Sequence, residues 1–224
     1  MNKKKIVKIC VDAAMYVLFL LMMGEFLLKD AHLWIGIAAS CLFVLHTAFN
    51  YKWYKALFKG KYNAARITQT AVNILLLVNL IVCIVSGVFV LPGVFIGYEI
   101  NVKIHLFTSA WTFILMSVHL GLHWSIFVGM AGKTNLPNGL KIALKWLFRV
   151  ILCALVLYGV HVFANRRFWE EMFLLIDYQK EYDYSKLPLT YVAESVALSA
   201  VFTSITYYVQ KFIRRLRLRK NADN

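Results

Sequence analysis

Six apolar stretches, each roughly twenty residues long, dominate this chain of 224 residues and leave it few ways to fold. Crossing the hydrocarbon of a bilayer takes ~20 apolar residues in a helix. Inside lipid, only helices and closed barrels satisfy their own backbone polar groups. The stretches fall at about 9–28, 33–57, 68–91, 104–129, 142–163 and 189–212. The expected fold class is therefore all-α, a polytopic membrane protein forming one six-helix bundle over 1–224. Breaks come at KDAHLW, KGKYNAAR, LPGVFIGYE and GKTNLPNG, and in a longer segment from Asn165 to Pro188. Gly, Pro and Asn mark three of them as turns. Composition agrees: 61% of residues are hydrophobic and 16% charged, against about 45–50% and about 25% in soluble domains.

The opening MNKKKIVKIC and the apolar run behind it imitate a secretory signal. That run exceeds the ~7–15 residues of a signal core and lacks a small-residue cleavage pattern. A retained first helix is expected.

Basic residues set the orientation. With the amino terminus in the cytoplasm, 19 of the 25 Lys and Arg fall on the inner side and six on the outer. Such a bias follows the positive-inside rule and puts both termini in the cytoplasm. The net charge of +14 is thereby accounted for as short clusters between spans, with no nucleic-acid patch. The outer segment RRFWEEMFLLIDYQKEYDYSKLP is too charged to cross. Near Arg167 to Asp177 it is expected as a short interfacial helix or as an ordered loop over the outer mouth. Cys10, Cys41, Cys83 and Cys153 stand singly. They support no disulfide framework or zinc–thiolate site and read as small packing residues.

Against this apolar background the histidines stand out, because ionisable groups in a membrane span are costly. His32 and His46 lie fourteen residues apart in the second span, and so do His105 and His119 in the fourth. Fourteen residues turn a helix to within ~40° of four full turns and rise ~21 Å. Each pair therefore shares one helix face at two well-separated depths. Both spans run from outside to inside, so His32 lies level with His105, and His46 with His119. Two facing imidazoles, repeated at a second depth, suit two bis-histidine haem irons, which lack an open position for chemistry and carry electrons. Haem b is the expected cofactor, in two copies. His32 and His105 hold the outer iron, and His46 and His119 the inner one.

Gly36 and Ser109, one turn after His32 and His105, leave room for a flat macrocycle, although small residues serve helix packing equally well. His123, one turn below His119, competes with it for the inner iron. His123 and Asn50 each stand four residues from a proposed ligand, where they can orient it or bind a propionate. His161 has no partner at matching spacing and is expected in an interfacial or packing role. Trp53 and Trp124 fit an ordinary interfacial belt, and Lys52, Lys55 and Arg66 offer only a weak match to haem propionates. Zinc is the chemical rival, since His119 and His123 have i,i+4 spacing, but HExxH is absent and no carboxylate is near.

The second span reads H-x3-G-x9-H-x3-N-x2-W through His32, Gly36, His46, Asn50 and Trp53. The fourth ends in HLGLHW after a histidine fourteen residues earlier. These two spans resemble the flavinylation-associated cytochromes (the DUF4405 group), related in style to cytochrome b561 and ferric-reductase membrane domains. The other spans match in length and hydropathy alone. The resemblance implies electron transport across the bacterial cytoplasmic membrane toward extracytoplasmic flavoproteins carrying covalent FMN, with the four paired histidines as haem ligands. No segment suits a soluble flavin or nicotinamide domain, so donor and acceptor are expected to be separate molecules, a quinol being one such donor.

The leading expectation is a multi-pass electron-transfer subunit of the cytoplasmic membrane, embedded in lipid, without a catalytic nucleophile and without nucleic acid as a partner. Two other classes stay open. One is a transporter or non-redox membrane partner whose histidines line a proton path, although such proteins typically add intramembrane acids or broken helices. Asp12 and Glu25, near the ends of the first span, read as snorkelling or capping residues. The other is a terminal reductase passing electrons directly to metal ions or oxygen.

Overall fold

The computed structural model describes residues 3–23, 31–91, 97–175 and 188–222, with side chains of the last segment from Leu189 to Leu216. Its helices are α1 (Lys3–Met22), α2 (His32–Phe49), α3 (Tyr51–Ala56), α4 (Ala64–Phe89), α5 (Tyr98–Gly132), α6 (Asn138–Asn165), α7 (Trp169–Met172) and α8 (Pro188–Ala222). No strand occurs among the described residues. Five helices are long and apolar enough to cross a membrane: α2, α4, α5, α6 and, over Leu189–Leu216, α8. Helix α1 also has twenty residues, about 30 Å at ~1.5 Å per residue, but its first half carries four lysines and Asp12.

Side-chain contacts fix the helix directions. Asp12 meets His46 and Lys8 meets Asn50, so α1 and α2 run antiparallel. Asn73 meets His119 and Cys83 meets Ser109, which makes α4 and α5 antiparallel as well. Ser117 bonds Ser199, and Gly121 packs against Thr203 and Thr206, so α5 and α8 are parallel. Phe19 stacks on Phe113, and Tyr16 reaches Ser199 beside Ser117, which sets α1 antiparallel to α5. It follows that α2 and α5 run in the same direction.

The apolar core gathers Phe19 and Leu20 of α1, Ala110, Phe113 and Ile114 of α5, Val162 of α6, Leu198 of α8 and Phe168. Glycines let the helices close on one another. A Cβ at Gly159 would stand 2.3 Å from the carbonyl oxygen of Ala197, and one at Gly121 would stand 2.7 Å from that of Thr203. Small residues at crossings and interhelical hydrogen bonds are the usual adhesive where lipid is as apolar as the side chains. Here Ser117 and Tyr16 both bond Ser199, and Thr203 donates to the Ser117 carbonyl. Trp146, Val150, Leu157 and Val160 of α6 face outward and exposed, which suits a lipid-facing helix.

Several boundaries depart from the hydropathy reading. The second span, expected to continue to residue 57, breaks at Asn50 into α2 and α3. The Asn50 amide donates to the His46 carbonyl at 2.8 Å and so competes with the backbone ladder there. The first helix begins at Lys3, and its expected last turn, with Glu25, lies outside the described residues. Helix α5 extends beyond its expected span at both ends, and α8 runs on to Ala222. The interfacial helix expected near 167–177 shrinks to Trp169–Met172, with Asp177 outside the described residues. Left-handed backbone at Arg167 (φ 51°) and Leu174 (φ 58°) turns the chain on either side of it. Phe168 is buried against Phe113 and Phe163, and Trp111 donates to the Met172 carbonyl at 3.0 Å. Through these contacts the piece is packed against α5 and α6.

Candidate functional site: a histidine-lined cavity between α2 and α5

Helices α2 and α5 face one another across a half-open cavity of about 1250 Å³, which residues of α1 and α4 also line. Single-ligand pockets span ~300–1,000 Å³, so this one has room for more than one small ligand. Five of the six histidines line it: His32 and His46 from α2, and His105, His119 and His123 from α5. Between them the walls are apolar, with Phe43, Leu76, Leu77, Leu80 and Met116 among the lining residues.

At one end the rings of His32 and His105 meet with centroids 6.3 Å apart and planes at 79°. With metal–nitrogen bonds of ~2 Å, two imidazoles trans on one metal have ring centres about 6 Å apart. The co-directional helices then carry the next pair to a common second depth, ~21 Å along. There His46 and His119 line the same cavity.

Neighbouring helices hold the rings by their Nδ1 atoms. His105 Nδ1 lies 2.9 Å from the Cys83 carbonyl oxygen, with the Ser86 hydroxyl at 3.5 Å. His119 Nδ1 lies 2.8 Å from Asn73 Oδ1. His46 Nδ1 lies 2.6 Å from Asp12 Oδ1. An oxygen acceptor at Nδ1 takes the ring proton there and leaves the Nε2 lone pair for a second partner, which at His46 is the Asn50 amide, 3.2 Å away. Metal-ligating histidines are typically oriented in this way. Gly87 makes the seat of His105 possible, since a Cβ there would stand 2.9 Å from the ring Cε1 and 3.1 Å from Nδ1.

The secondary residues divide. Gly36 and Ser109 both line the cavity. A Cβ on Gly36 would meet only Met22 Sδ, at 3.8 Å. Ser109 Oγ contacts Cys83 Sγ at 3.3 Å. Asn50 touches His46 Nε2 at 3.2 Å and accepts from Lys8 Nζ. The ring of His123 lies 4.8 Å from that of His119, and its contact is through Nε2 to Gln69 at 3.3 Å. His161 stays on α6 beside Asn165 and Tyr158, away from the cavity.

Asp12, expected to snorkel or cap, bonds His46 Nδ1 while its side chain stays 41% exposed. The cations at the cavity are Lys5 and Lys8 of α1, not Lys52, Lys55 or Arg66. The Arg66 guanidinium instead donates to the carbonyls of Ala56, at 2.6 Å, and Lys59, at 2.7 Å, and ties down the loop after α3.

Asp12 was read only as a snorkelling or capping residue, and Asn73, Gly87 and the Cys83 carbonyl went unnoticed in the sequence. For Asp12 and Asn73 a signal existed, because a polar residue inside an apolar run is a functional-site hypothesis. Among the described residues, no three His, Cys, Asp or Glu side chains converge so as to hold a metal alone. At the His32/His105 end the donor set is two imidazoles, which fits a metal whose other ligands come from a macrocycle; at the other end the imidazoles of His46, His119 and His123 line the cavity. Compared with known proteins, the chain matches no family model, no curated protein and no solved structure.

Proposed function

We propose that this chain is a di-haem b-type cytochrome with six membrane crossings and both termini in the cytoplasm. His46 and His119 hold the inner haem, and His32 and His105 the outer one. Electrons enter from a separate donor, with a quinol as the candidate class, and leave to an extracytoplasmic, flavin-bearing acceptor. The chain serves as an electron-transfer subunit of the cytoplasmic membrane, in the manner of the flavinylation-associated cytochromes it resembles.

One observation carries this reading: two histidine pairs on co-directional helices line a single apolar cavity, with the His32 and His105 rings 6.3 Å apart. Bound between two imidazoles, haem supplies a one-electron carrier without an open coordination position. The residues of the chain do the rest. Cys83, Asn73 and Asp12 keep the ring protons at Nδ1, and the leucines and Phe43 keep water from the space between the levels.

A pyridine haemochrome assay on the purified chain tests this directly, with b-type bands and two haems per chain as the expected result. Colourless protein from haem-sufficient cells overturns it. That outcome would favour the second reading, a proton path, whose supporting observation is the Asp12–His46 hydrogen bond inside the cavity.

A further inference from the structure

The two histidine levels differ in what grips them. At the His46 level the grip is a carboxylate, Asp12 Oδ1 at 2.6 Å from Nδ1. At the His105 level it is a neutral peptide carbonyl, Cys83 O at 2.9 Å, with neutral Ser86 and Cys83 side chains around it. Among the described residues, Asp12 is the one carboxylate lining the cavity. Resting on the haem reading above, we infer that Asp12 is a positioning residue that holds the potential of the His46/His119 haem below that of the His32/His105 haem, and so directs electrons outward.

The argument is electrostatic. A carboxylate at Nδ1–H draws that proton toward itself and makes the imidazole a stronger electron donor through Nε2. Stronger donation, together with the nearby negative charge, favours the more positive oxidised iron and lowers the reduction potential. A peptide carbonyl does the same far more weakly, because hydrogen bonds to ionised acceptors are roughly twice as strong as neutral ones. Asn73, on the companion ligand His119, is likewise neutral.

Lys8 and Lys5 oppose this effect, since both line the cavity and carry positive charge. Their leverage is smaller. Lys8 is bonded to the Asn50 amide oxygen, whereas Asp12 is in direct contact with the ring. In each transfer one electron passes from the His46/His119 level, which is oxidised, to the His32/His105 level, which is reduced. No bond forms or breaks. Two such transfers serve one donor of the quinol class, which becomes quinone and releases two protons, and the flavin class takes up the two electrons with protons from its own side.

The experiment is a spectroelectrochemical titration of the full-length haem-loaded protein. Wild type is expected to show two one-electron waves, the lower of which is missing in His46→Ala. A carboxylate that favours the oxidised over the reduced level tenfold lowers its potential by about 59 mV for one electron. Asp12→Asn should therefore raise the lower wave by about 60 mV or more and leave the upper one in place. The converse variant, Asn73→Asp, adds a carboxylate to the other ligand of the same level and should push that wave down, even if Asp12→Asn loads poorly. A lower wave unmoved by these substitutions, or one belonging to His32/His105, overturns this inference while the haem reading stands. Wild type without haem overturns both.

Discussion

Adding one methyl group at Gly87 tests the seat of His105 without touching a proposed ligand. A Cβ there would lie 2.9 Å from the ring Cε1 and 3.1 Å from Nδ1, and ordinary carbon contacts begin near 3.5 Å. The ring must then retreat by roughly 0.5 Å, about the tolerance within which a ligating side chain must be held. It also strains the 2.9 Å contact of Nδ1 with the Cys83 carbonyl. The clash is with the end of a side chain rather than with backbone, so Gly87→Ala should fold. Its effect should appear in haem binding. Loss of an orienting partner costs ~10–100-fold in metal affinity, or about 1.4–2.7 kcal/mol. Haem titration of the purified variant, followed by haemochrome absorbance, should show one site weakened by that factor and the other at its wild-type affinity. Gly129→Ala is the control, because its added Cβ meets nothing within 4 Å and Gly129 does not line the cavity. Equal wild-type affinity at both sites in Gly87→Ala would refute the reasoning.

His46→Ala and His119→Ala should each lower haem content from two per chain to one, read by haemochrome against protein concentration. Unchanged content in both variants would reject those ligands. Gly159→Ala should instead weaken the bundle itself. Its Cβ would come 2.3 Å from a backbone oxygen of Ala197, so α6 and α8 must move apart at a cost of about 1–3 kcal/mol. A lower midpoint in detergent thermal unfolding, with haem stoichiometry kept in the folded fraction, is the expected result.

Some of this was legible without coordinates, because it depends on periods within one segment. Hydropathy marks the apolar helices, since lipid demands about twenty such residues in a row whatever the neighbours. The fourteen-residue spacing places each histidine pair on one helix face by helix geometry alone. An even number of crossings makes the second and fourth spans co-directional, as α2 and α5 are. The break at Asn50 was missed because an amide that bonds the His46 carbonyl looks, in sequence, like any polar residue near a span end.

What the sequence left open depends on how each helix is rotated and which helix lies beside it. That α1 swings Asp12 onto His46, and that α4 offers Asn73, Gly87 and the Cys83 carbonyl to α5, are contacts between residues eighteen or more positions apart. No local pattern encodes them. Packing of Phe19, Phe113, Leu198 and the glycine crossings decides those rotations, because helices in lipid choose neighbours by fit and not by hydrophobicity. The chain alone specified which residues can share a depth; the packed bundle decided that a cavity, and not another helix, stands between them.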